Sequence, residues 1–297
     1  MDGVIIDGKL VADIIRKKLN GRIAALAASG VTPGLAAVLV GDNPASKTYV
    51  NAKAKACQEL GLYSEVIRRP ATLTPEELFG IVKQLNARPE IHGILVQSPL
   101  PGHLDELTVT LAVDPSKDVD GFHPYNVGLM LLGRGTLLPC TPHGIIKLLE
   151  HYQIDPSGRE VVVVGRSNIV GKPVAALLMQ KGKMANATVT IAHSHSRDLP
   201  GITRRADILI AAIGKPRTIT GDMIKPGAVV IDVGVNRVDD ATSAKGYRLV
   251  GDVDFGTCVA KASYITPVPG GVGPMTIAML MANTVTAAEN LTHGVRG

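Results

Sequence analysis

Tryptophan is absent from this sequence of 297 residues, and cysteines are few. The three cysteines, Cys57, Cys140 and Cys258, are odd in number and widely spaced, which argues against a disulfide framework or a CxxC metal site and indicates a reducing cytosol. No apolar run approaches the roughly 18 residues of a membrane span. The first ten residues, MDGVIIDGKL, do not have the pattern of a signal peptide. We therefore expect a cytoplasmic protein that does not enter a membrane.

Acidic residues are outnumbered by basic ones, 26 to 31, which gives a formal net charge of +5. A basic chain first suggests nucleic acid as the partner. However, the basic residues are dispersed, and the longest runs are Arg16-Lys17-Lys18 and Arg204-Arg205. With no Trp and three Phe residues, the chain lacks a platform on which bases would stack. Small anionic ligands therefore fit the charge better than nucleic acid does.

Strand and helix patterns alternate in two successive series, which predicts two α/β domains with mainly parallel sheets. In the first series the strands lie at 35–41, 64–69 and 92–97, with a helix over 10–28 before them and helices from Pro44 and Pro75 between them. The second series begins at Glu160, and its strands read VVVVG, ATVTIAH, DILIAAIG, AVVIDVGV and LVGDV.

Two further helices are expected outside these series. The stretch CTPHGIIKLLEHY predicts a linking helix with Thr141 as N-cap and Pro142 at its first position. A last helix is expected from Thr276 to about Glu289, after PVPGGVGP (267–274), a run that we predict to be irregular.

The stretch VVVVGRSNIVGKP (161–173) resembles a buried strand that leads into a phosphate-binding turn. Gly165 allows the tight turn, and Gly171 suits a close contact between helix and strand. Arg166 and Ser167 stand where the dinucleotide fingerprint has its second glycine, so the motif alone is weak. The alternative is a plain strand-to-helix turn in a domain that binds no nucleotide.

The end of the next strand favours NADP over NAD. Strands that bind NAD usually end in an acidic residue that holds the ribose 2′-hydroxyl. Here the strand ends in His193-Ser194-His195-Ser196, and an arginine with a serine hydroxyl suits a 2′-phosphate. The two histidines are also possible metal ligands, but a third ligand is lacking, so we expect loop histidines and no metal.

Lys53 lies on the apolar face of the helix that begins at Pro44. The predicted stripe comprises Tyr49, Ala52, Ala56, Cys57 and Leu60, with Asn43 as N-cap and Gly61 at the C-terminus. A lysine can exchange protons near neutral pH when burial lowers its pKa. The alternative is a lysine that reaches from the edge of the stripe into solvent.

Polar residues near predicted strand ends are candidates to join Lys53. Gln97 ends the strand HGILVQ, and the carboxyl ends of parallel strands are where open α/β sheets bind ligands. Asp120 lies in the loop KDVDGFHP and would be a charge partner or a ligand anchor, although Asp120 and Asp118 each also fit ordinary solvated acids. The rigid loop PVPGGVGP either lines a site or only connects elements.

Six motifs in this order resemble the bifunctional methylenetetrahydrofolate dehydrogenase/methenyltetrahydrofolate cyclohydrolase family. They are YVNAK (49–53), GILVQSPLP (93–101), KDVDGFHP (117–124), PCTPHG (139–144), VVVGRSNIVGKP (162–173) and ITPVPGGVGPMT (265–276). The resemblance spans nearly the whole chain. It implies a catalytic domain over 1–122 and 277–297, a Rossmann-like NADP domain over 123–276, a folate cleft between them, and a homodimer.

The resemblance also implies a role for each candidate residue. Lys53 matches the catalytic lysine, Tyr49 the tyrosine that packs on the pterin, Gln97 the glutamine that assists the lysine, and Asp120 the acid that holds the pterin. The residues that match cofactor contacts are Gly165, Arg166, Ser167, Ser194 and Val235, with Gly171 completing the turn; Val235 replaces the isoleucine of many members. Pro269 and Gly270 match the loop on the substrate side.

The implied reaction is oxidation of 5,10-methylenetetrahydrofolate with NADP⁺, followed by hydrolysis to 10-formyltetrahydrofolate. The hydrolysis needs proton transfer, which agrees with a lysine in an apolar stripe. Two alternatives are another two-domain dehydrogenase, such as a shikimate or amino-acid dehydrogenase, and a non-catalytic nucleotide sensor or RNA-binding module. The first gives no reason for Tyr49 and Lys53 together with Gln97, and the second would show cofactor binding without turnover or salt-sensitive RNA binding.

Overall fold

The computed structural model describes residues 2–135, 137–243 and 246–294, which form two compact α/β units. The helices are α1 (Gly8–Ala28), α2 (Pro44–Glu59), α3 (Pro75–Ala87), α4 (Glu106–Ala112), α5 (Pro124–Leu131), α6 (Cys140–His151), α7 (Gly171–Leu178), α8 (Leu199–Thr203), α9 (Phe255–Cys258) and α10 (Val272–Thr292). The strands are β1 (Val4–Ile5), β2 (Gly34–Val40), β3 (Tyr63–Arg69), β4 (Gly93–Val96), β5 (Glu160–Val164), β6 (Thr188–Ala192), β7 (Ile208–Ala211), β8 (Val229–Asp232), β9 (Asn236–Asp239), β10 (Tyr247–Val250) and β11 (Tyr264–Ile265). None of the helices in these ranges is long and apolar enough to cross a membrane.

The three-stranded unit comprises Ile14–Cys140 and Ile277–Gly297. Its sheet is parallel in the order β3-β2-β4, and every residue of β2 is buried. The central strand is therefore a continuous apolar run, as expected for a strand covered on both faces. Apolar residues of β2, β4, α3 and α4 pack into one core, including Val38, Ile94, Leu78, Val82 and Val109.

The six-stranded unit comprises Met1–Asp13 and Thr141–Thr276. Its sheet is parallel throughout, in the order β1-β11-β8-β7-β5-β6. The direction of strand order reverses between β5 and β7, which makes their carboxyl ends a topological switch point, the place where ligands bind in open α/β sheets. This is the predicted Rossmann-like parallel sheet.

Most predicted elements are present, with three differences. The run LVGDV is not a strand of the parallel sheet: β10 pairs antiparallel with β9 in a separate hairpin. The linking helix α6 begins at Cys140, so Thr141 lies within it and is not its N-cap, and its Oγ1 lies 2.8 Å from Oγ1 of Thr276. The final helix α10 begins at Val272, so the end of PVPGGVGP is helical and only its first part is irregular.

The grouping of residues into units differs from the predicted division at two places. Residues 1–13 group with the six-stranded unit because β1 pairs with β11 in its sheet. Residues 123–140 group with the three-stranded unit, where Asn126 Nδ2 donates to the carbonyl of Pro115 and to Oδ2 of Asp118. Residues 277–297 group with the three-stranded unit, the assignment that the sequence predicts.

Candidate active site

Helix α2 positions Lys53 within the three-stranded unit. The side chain of Asn43 accepts hydrogen bonds from the backbone N–H groups of Ala45 and Ser46, so the predicted N-cap is confirmed. The buried face of α2 carries Ser46, Val50, Lys53, Ala56 and Cys57. Lys53 is only 8% exposed, as the sequence predicts.

The prediction that Tyr49 belongs to the buried stripe is wrong. Tyr49 is 44% exposed, and Val50 is buried in its place. The buried face is shifted by one residue in the first half of α2, because the packing of the helix on its neighbours decides which side of a stripe faces inward. Tyr49 thus presents its ring to solvent one turn before Lys53.

The side chain of Lys53 contacts the end of a neighbouring strand. Its Nζ donates a hydrogen bond of 3.0 Å to Oε1 of Gln97, and Gln97 directly follows β4. Nε2 of Gln97 in turn donates to the carbonyl of Ser98 at 2.6 Å. These bonds orient the amide so that its oxygen faces the ammonium group. The structure thus brings Lys53 and Gln97 together.

Asp120 and Asp118 have different surroundings. Asp118 is buried, and its carboxylate accepts hydrogen bonds from the N–H groups of Gly121 and His123 and from the amide of Asn126. These hydrogen bonds indicate that Asp118 stabilises the conformation of the loop. In Asp120, burial of the carboxyl raises its pKa to about 6, while the charge of Lys53 lowers it and that of Asp118 raises it.

Asp120 lies at the same edge of the sheet as Gln97. Asp118 forms a parallel bridge with Ile94 of β4, so the segment 118–120 runs alongside the strand. Two residues beyond the bridge, both β4 and the segment 118–120 reach the carboxyl edge of the sheet. There the charge of Lys53 acts on the carboxyl group of Asp120 and lowers its pKa. The side chains of Lys53, Gln97 and Asp120 therefore lie at the same end of this parallel sheet.

Sequence reasoning missed two further groups near this cluster. Ser46 is buried and its Oγ has no hydrogen-bond partner among the described residues. Its spacing of seven residues from Lys53 places both on one helix face, a signal that the sequence contains. Burial raises the pKa of the Cys140 thiol, and the charges of Asp120 and Lys53 act on it as well, so it belongs to the same neighbourhood.

The turn after β5 has the close backbone packing that the fingerprint predicts. Gly165 has a φ of +128°, and a Cβ there would clash with the carbonyl oxygen of Ala212, which follows β7. A Cβ on Gly171 would clash with the carbonyl oxygen of Gly165. Oγ of Ser167 accepts hydrogen bonds from the N–H groups of Val170 and Gly171 at the start of α7. The turn is therefore tight, and it lies at the switch point of the sheet.

Arg166 and Ser194 follow adjacent strands and are both exposed. Val164 of β5 pairs with Ala192 of β6, and each candidate residue lies two positions further on. They therefore stand at the same edge of the sheet. The N–H of His195 donates to Nδ1 of His193 at 3.2 Å, a hydrogen bond within the loop that follows β6.

The remaining candidates also belong to the six-stranded unit. Val235 is 46% exposed in the loop between β8 and β9. Pro269 is exposed just before α10, and the carbonyl of Gly270 accepts a hydrogen bond from the N–H of Gly8 at 3.0 Å. Val235 shares the carboxyl edge of the sheet with the turn after β5, because β8 and β5 are both parallel neighbours of β7.

A Rossmann-like sheet with a tight glycine turn at its switch point, together with a second α/β unit that holds a buried lysine at a strand end, defines a class of two-domain dinucleotide-dependent enzymes. Within that class, the chain belongs to the tetrahydrofolate dehydrogenase/cyclohydrolase family. The family's catalytic-domain model matches residues 6–120, and its NAD(P)-binding-domain model matches residues 139–292.

Known relatives extend over nearly the whole chain. The bifunctional protein FolD of Moorella thermoacetica is 57% identical over 289 residues, which is 97% of this chain and 100% of the relative. The crystal structure of the FolD enzyme from Campylobacter jejuni is 47% identical with a TM-score of 0.91, covering 97% of this chain and 99% of the other. A Trypanosoma brucei FolD, solved with NADP and an inhibitor, is 40% identical with a TM-score of 0.93 over 100% of both chains.

Proposed function

We propose that this enzyme oxidises 5,10-methylenetetrahydrofolate to 5,10-methenyltetrahydrofolate with NADP⁺ and then hydrolyses the product to 10-formyltetrahydrofolate. The observation that carries the proposal is the buried Nζ of Lys53, hydrogen-bonded to Gln97 and within electrostatic reach of Asp120. A buried cation at the carboxyl end of a parallel sheet is costly unless it has a chemical task. Family membership supplies the reaction that needs one.

The hydrolytic step depends on proton transfer by residues of the chain. Water adds to the methenyl carbon and loses one proton. The bond from that carbon to one ring nitrogen then breaks, the nitrogen gains a proton, and the hydroxyl left on the carbon loses its proton to become the formyl carbonyl. We assign the transfer of these protons to Lys53, with Gln97 orienting its Nζ. Asp120 accepts hydrogen bonds from the pterin, and the exposed ring of Tyr49 packs against its face. All four residues lie in the three-stranded unit.

The oxidation depends mainly on alignment of substrate and cofactor. When bound, NADP⁺ accepts a hydride from the methylene carbon of the folate. We assign the cofactor to the turn Gly165–Ser167 with Gly171, and its 2′-phosphate to Arg166 and Ser194. Val235 gives an apolar contact, and Pro269 and Gly270 belong to the loop that faces the substrate. The tight turn supports this assignment, since a Cβ on Gly165 would clash with the carbonyl oxygen of Ala212 and one on Gly171 with the carbonyl oxygen of Gly165.

The proposal is tested by turnover of methylenetetrahydrofolate with NADP⁺ and with NAD⁺, in which methenyl and formyl products are followed separately. We expect both products to form, with NADP⁺ used more efficiently. Methenyltetrahydrofolate supplied without cofactor should be hydrolysed as well. A chain that binds NADP⁺ but forms neither product would refute the proposed function, and turnover of shikimate would point to the alternative dehydrogenase.

Acid pH is expected to weaken folate binding, because protonation of Asp120 removes the charge that strengthens its hydrogen bonds and turns one of its oxygens into a donor. Burial raises its pKa to about 6, so the carboxylate is present above this pH and is lost as the pH falls through it. We expect kcat/KM for the folate to fall by about tenfold per pH unit below about 6. The measurement is a pH–rate profile between pH 5 and 8, with circular dichroism at each pH to verify folding.

Asp120→Asn should lower kcat/KM and remove the acidic limb of that profile. The exposed Asp114, whose side chain caps a short turn, provides a matched control as Asp114→Asn. An acidic limb that persists unchanged in Asp120→Asn would assign the titration to another group.

We further propose a cytoplasmic homodimer. Strand β3 supports the dimer, since it lies at the edge of its sheet and pairs only with β2 in the described residues. Such an edge offers backbone groups to a second copy of the chain. The buried free thiols of Cys57, Cys140 and Cys258 suit a reducing compartment. Sedimentation over a range of concentrations tests the dimer, and a monomer throughout would contradict it.

A further inference from the structure

Asp232 ends strand β8 inside a cage of backbone N–H groups. The residue is buried, and its Oδ1 accepts hydrogen bonds from the N–H groups of Gly234 at 3.0 Å and Asp252 at 2.9 Å. Its Oδ2 accepts from the N–H of Val253 at 2.9 Å. The carboxylate thus joins the loop after β8 to the segment after β10.

Asp252 is fully buried and continues the same network. Its Oδ2 accepts hydrogen bonds from the N–H groups of Ile213 at 2.6 Å and Gly214 at 2.9 Å. Its Oδ1 accepts from Nδ2 of Asn236 at 2.8 Å. Asp252 therefore fixes the loop after β7 and the first residue of β9.

The two carboxylates have no lysine or arginine partner in the described parts of the chain. Oriented N–H dipoles hold them instead, and each carboxylate receives three donors. Burial raises the pKa of Asp232 to about 6, with the charge of Asp252 adding to this effect while the backbone hydrogen bonds lower it. Burying two neighbouring carboxyl groups costs free energy of folding. We therefore expect the pair to serve a function that offsets this cost.

The loops that these acids hold surround the predicted cofactor site. Val235 lies between Gly234, which donates to Asp232, and Asn236, which donates to Asp252. The loop after β7 begins with Ala212, whose carbonyl packs against Gly165. A Cβ on Gly234 would clash with Oδ1 of Asp252, so the loop and the acid fit closely. The pair thus stabilises two of the loops at the carboxyl edge of the sheet.

We propose that Asp232 and Asp252 are positioning residues for the nicotinamide cofactor. Their carboxylates hold the loops after β7 and β8 in the conformation that the cofactor binds, and they act from beneath the loops without contacting the cofactor. This proposal rests on the proposed NADP site. It adds two buried residues that support the site from below and that none of the sequence motifs identified.

Asp252→Asn is the decisive variant because asparagine has the same shape and one acceptor fewer. In one orientation of the amide, its NH₂ group faces the backbone donors of Ile213 and Gly214; in the other it faces Asn236, whose own amide must rotate to present its oxygen. In both orientations the loops lose the charge-assisted hydrogen bonds that the carboxylate accepts. We expect the Kd for NADP⁺, measured by titration calorimetry, to rise about tenfold or more. Hydrolysis of methenyltetrahydrofolate without cofactor should stay within about twofold of the parent rate.

The hydrolytic activity separates positioning from a general loss of structure. Asp207→Asn is a matched control, since Asp207 precedes the opposite end of β7, where its Oδ2 accepts a hydrogen bond from the N–H of Glu160 at 3.0 Å. It should bind NADP⁺ like the parent. Equal loss of both activities in Asp252→Asn, or an unchanged Kd for NADP⁺, would overturn the proposal. A parent chain that binds no NADP⁺ would instead refute the proposed function.

If Asp252→Asn does not fold, Asn236→Ala provides the same test with a smaller change. It removes one hydrogen bond to Asp252 from a half-exposed residue next to Val235. We expect the Kd for NADP⁺ to rise about threefold to tenfold, with cofactor-free hydrolysis unchanged. An unchanged Kd in this variant would overturn the proposal.

Discussion

Replacing Lys53 with methionine is expected to slow the hydrolysis of methenyltetrahydrofolate by about a hundredfold or more. Methionine retains most of the volume of the stem and removes both the charge and the exchangeable protons. Since Lys53 is only 8% exposed, the variant should fold as well as the parent or better, because a buried charge is replaced by an apolar group.

The dehydrogenase activity of Lys53→Met should fall less than the hydrolytic activity. Hydride transfer needs alignment of folate and cofactor but no proton from the chain. The methenyl product should therefore accumulate, and its absorbance should persist in assays that start from methylenetetrahydrofolate and NADP⁺. The two activities are best measured separately, with methenyltetrahydrofolate supplied directly for the hydrolytic step.

Lys55→Met is the matched control for this experiment. Lys55 lies on the same helix with 76% of its side chain exposed, and its only described ion pair is a 3.8 Å contact with Glu59. This variant should keep both activities within about twofold, as expected for an exposed site. If Lys53→Met hydrolyses methenyltetrahydrofolate at the parent rate, Lys53 is a structural lysine and the proposed proton transfer is wrong.

Replacing Arg166 with alanine is expected to raise the KM for NADP⁺ by about tenfold to a hundredfold, with a much smaller change for NAD⁺. The basis is the exposed arginine two residues beyond β5, at the same edge as Ser194 and with no acid at the end of β6. A charge-assisted contact with a 2′-phosphate is worth about 1.5–3 kcal/mol, which corresponds to this range.

Cofactor fragments give a sharper measurement of the same contact. Binding of 2′,5′-ADP should weaken in Arg166→Ala as strongly as binding of NADP⁺, whereas 5′-AMP should bind as it does to the parent. Arg205→Ala, an exposed arginine just before β7 at the other edge of the sheet, is the control. Equal losses with NADP⁺ and NAD⁺ would show that Arg166 does not read the 2′-phosphate.

The sequence predicted features that depend on local patterns. The caps of α2 at Asn43 and Gly61, the burial of Lys53 and the tight turn at Gly165 all follow from residue type and spacing within short stretches. The exposure of Tyr49 was not predictable in this way. A helix stripe defines a face only to within about one residue, and tertiary packing decides which edge is covered.

Contacts between distant residues were beyond the sequence patterns. Asp252 accepts a hydrogen bond from Ile213, 39 residues earlier, and nothing in the composition of GDVDF distinguishes a caged acid from a solvated one. The prediction that LVGDV belongs to the parallel sheet is wrong, because an apolar run does not specify its partner strand or direction. In the sequence Cys140 indicates only a reducing compartment, because its nearness to Asp120 depends on the fold.

The side chain of Asn283 has a consequence for the order in which this enzyme is made. Its Nδ2 donates to the carbonyls of Val119 and Leu138 at 2.8 Å, so the loop before Asp120 is held by a residue near the end of the chain. The larger part of the six-stranded unit, Thr141–Thr276, is translated in between. At about 5–20 residues per second its translation takes roughly 7–27 s, during which the loop on the ribosome lacks its anchor. The nascent enzyme therefore completes the dinucleotide-binding sheet before the loop that carries Asp120 is fastened.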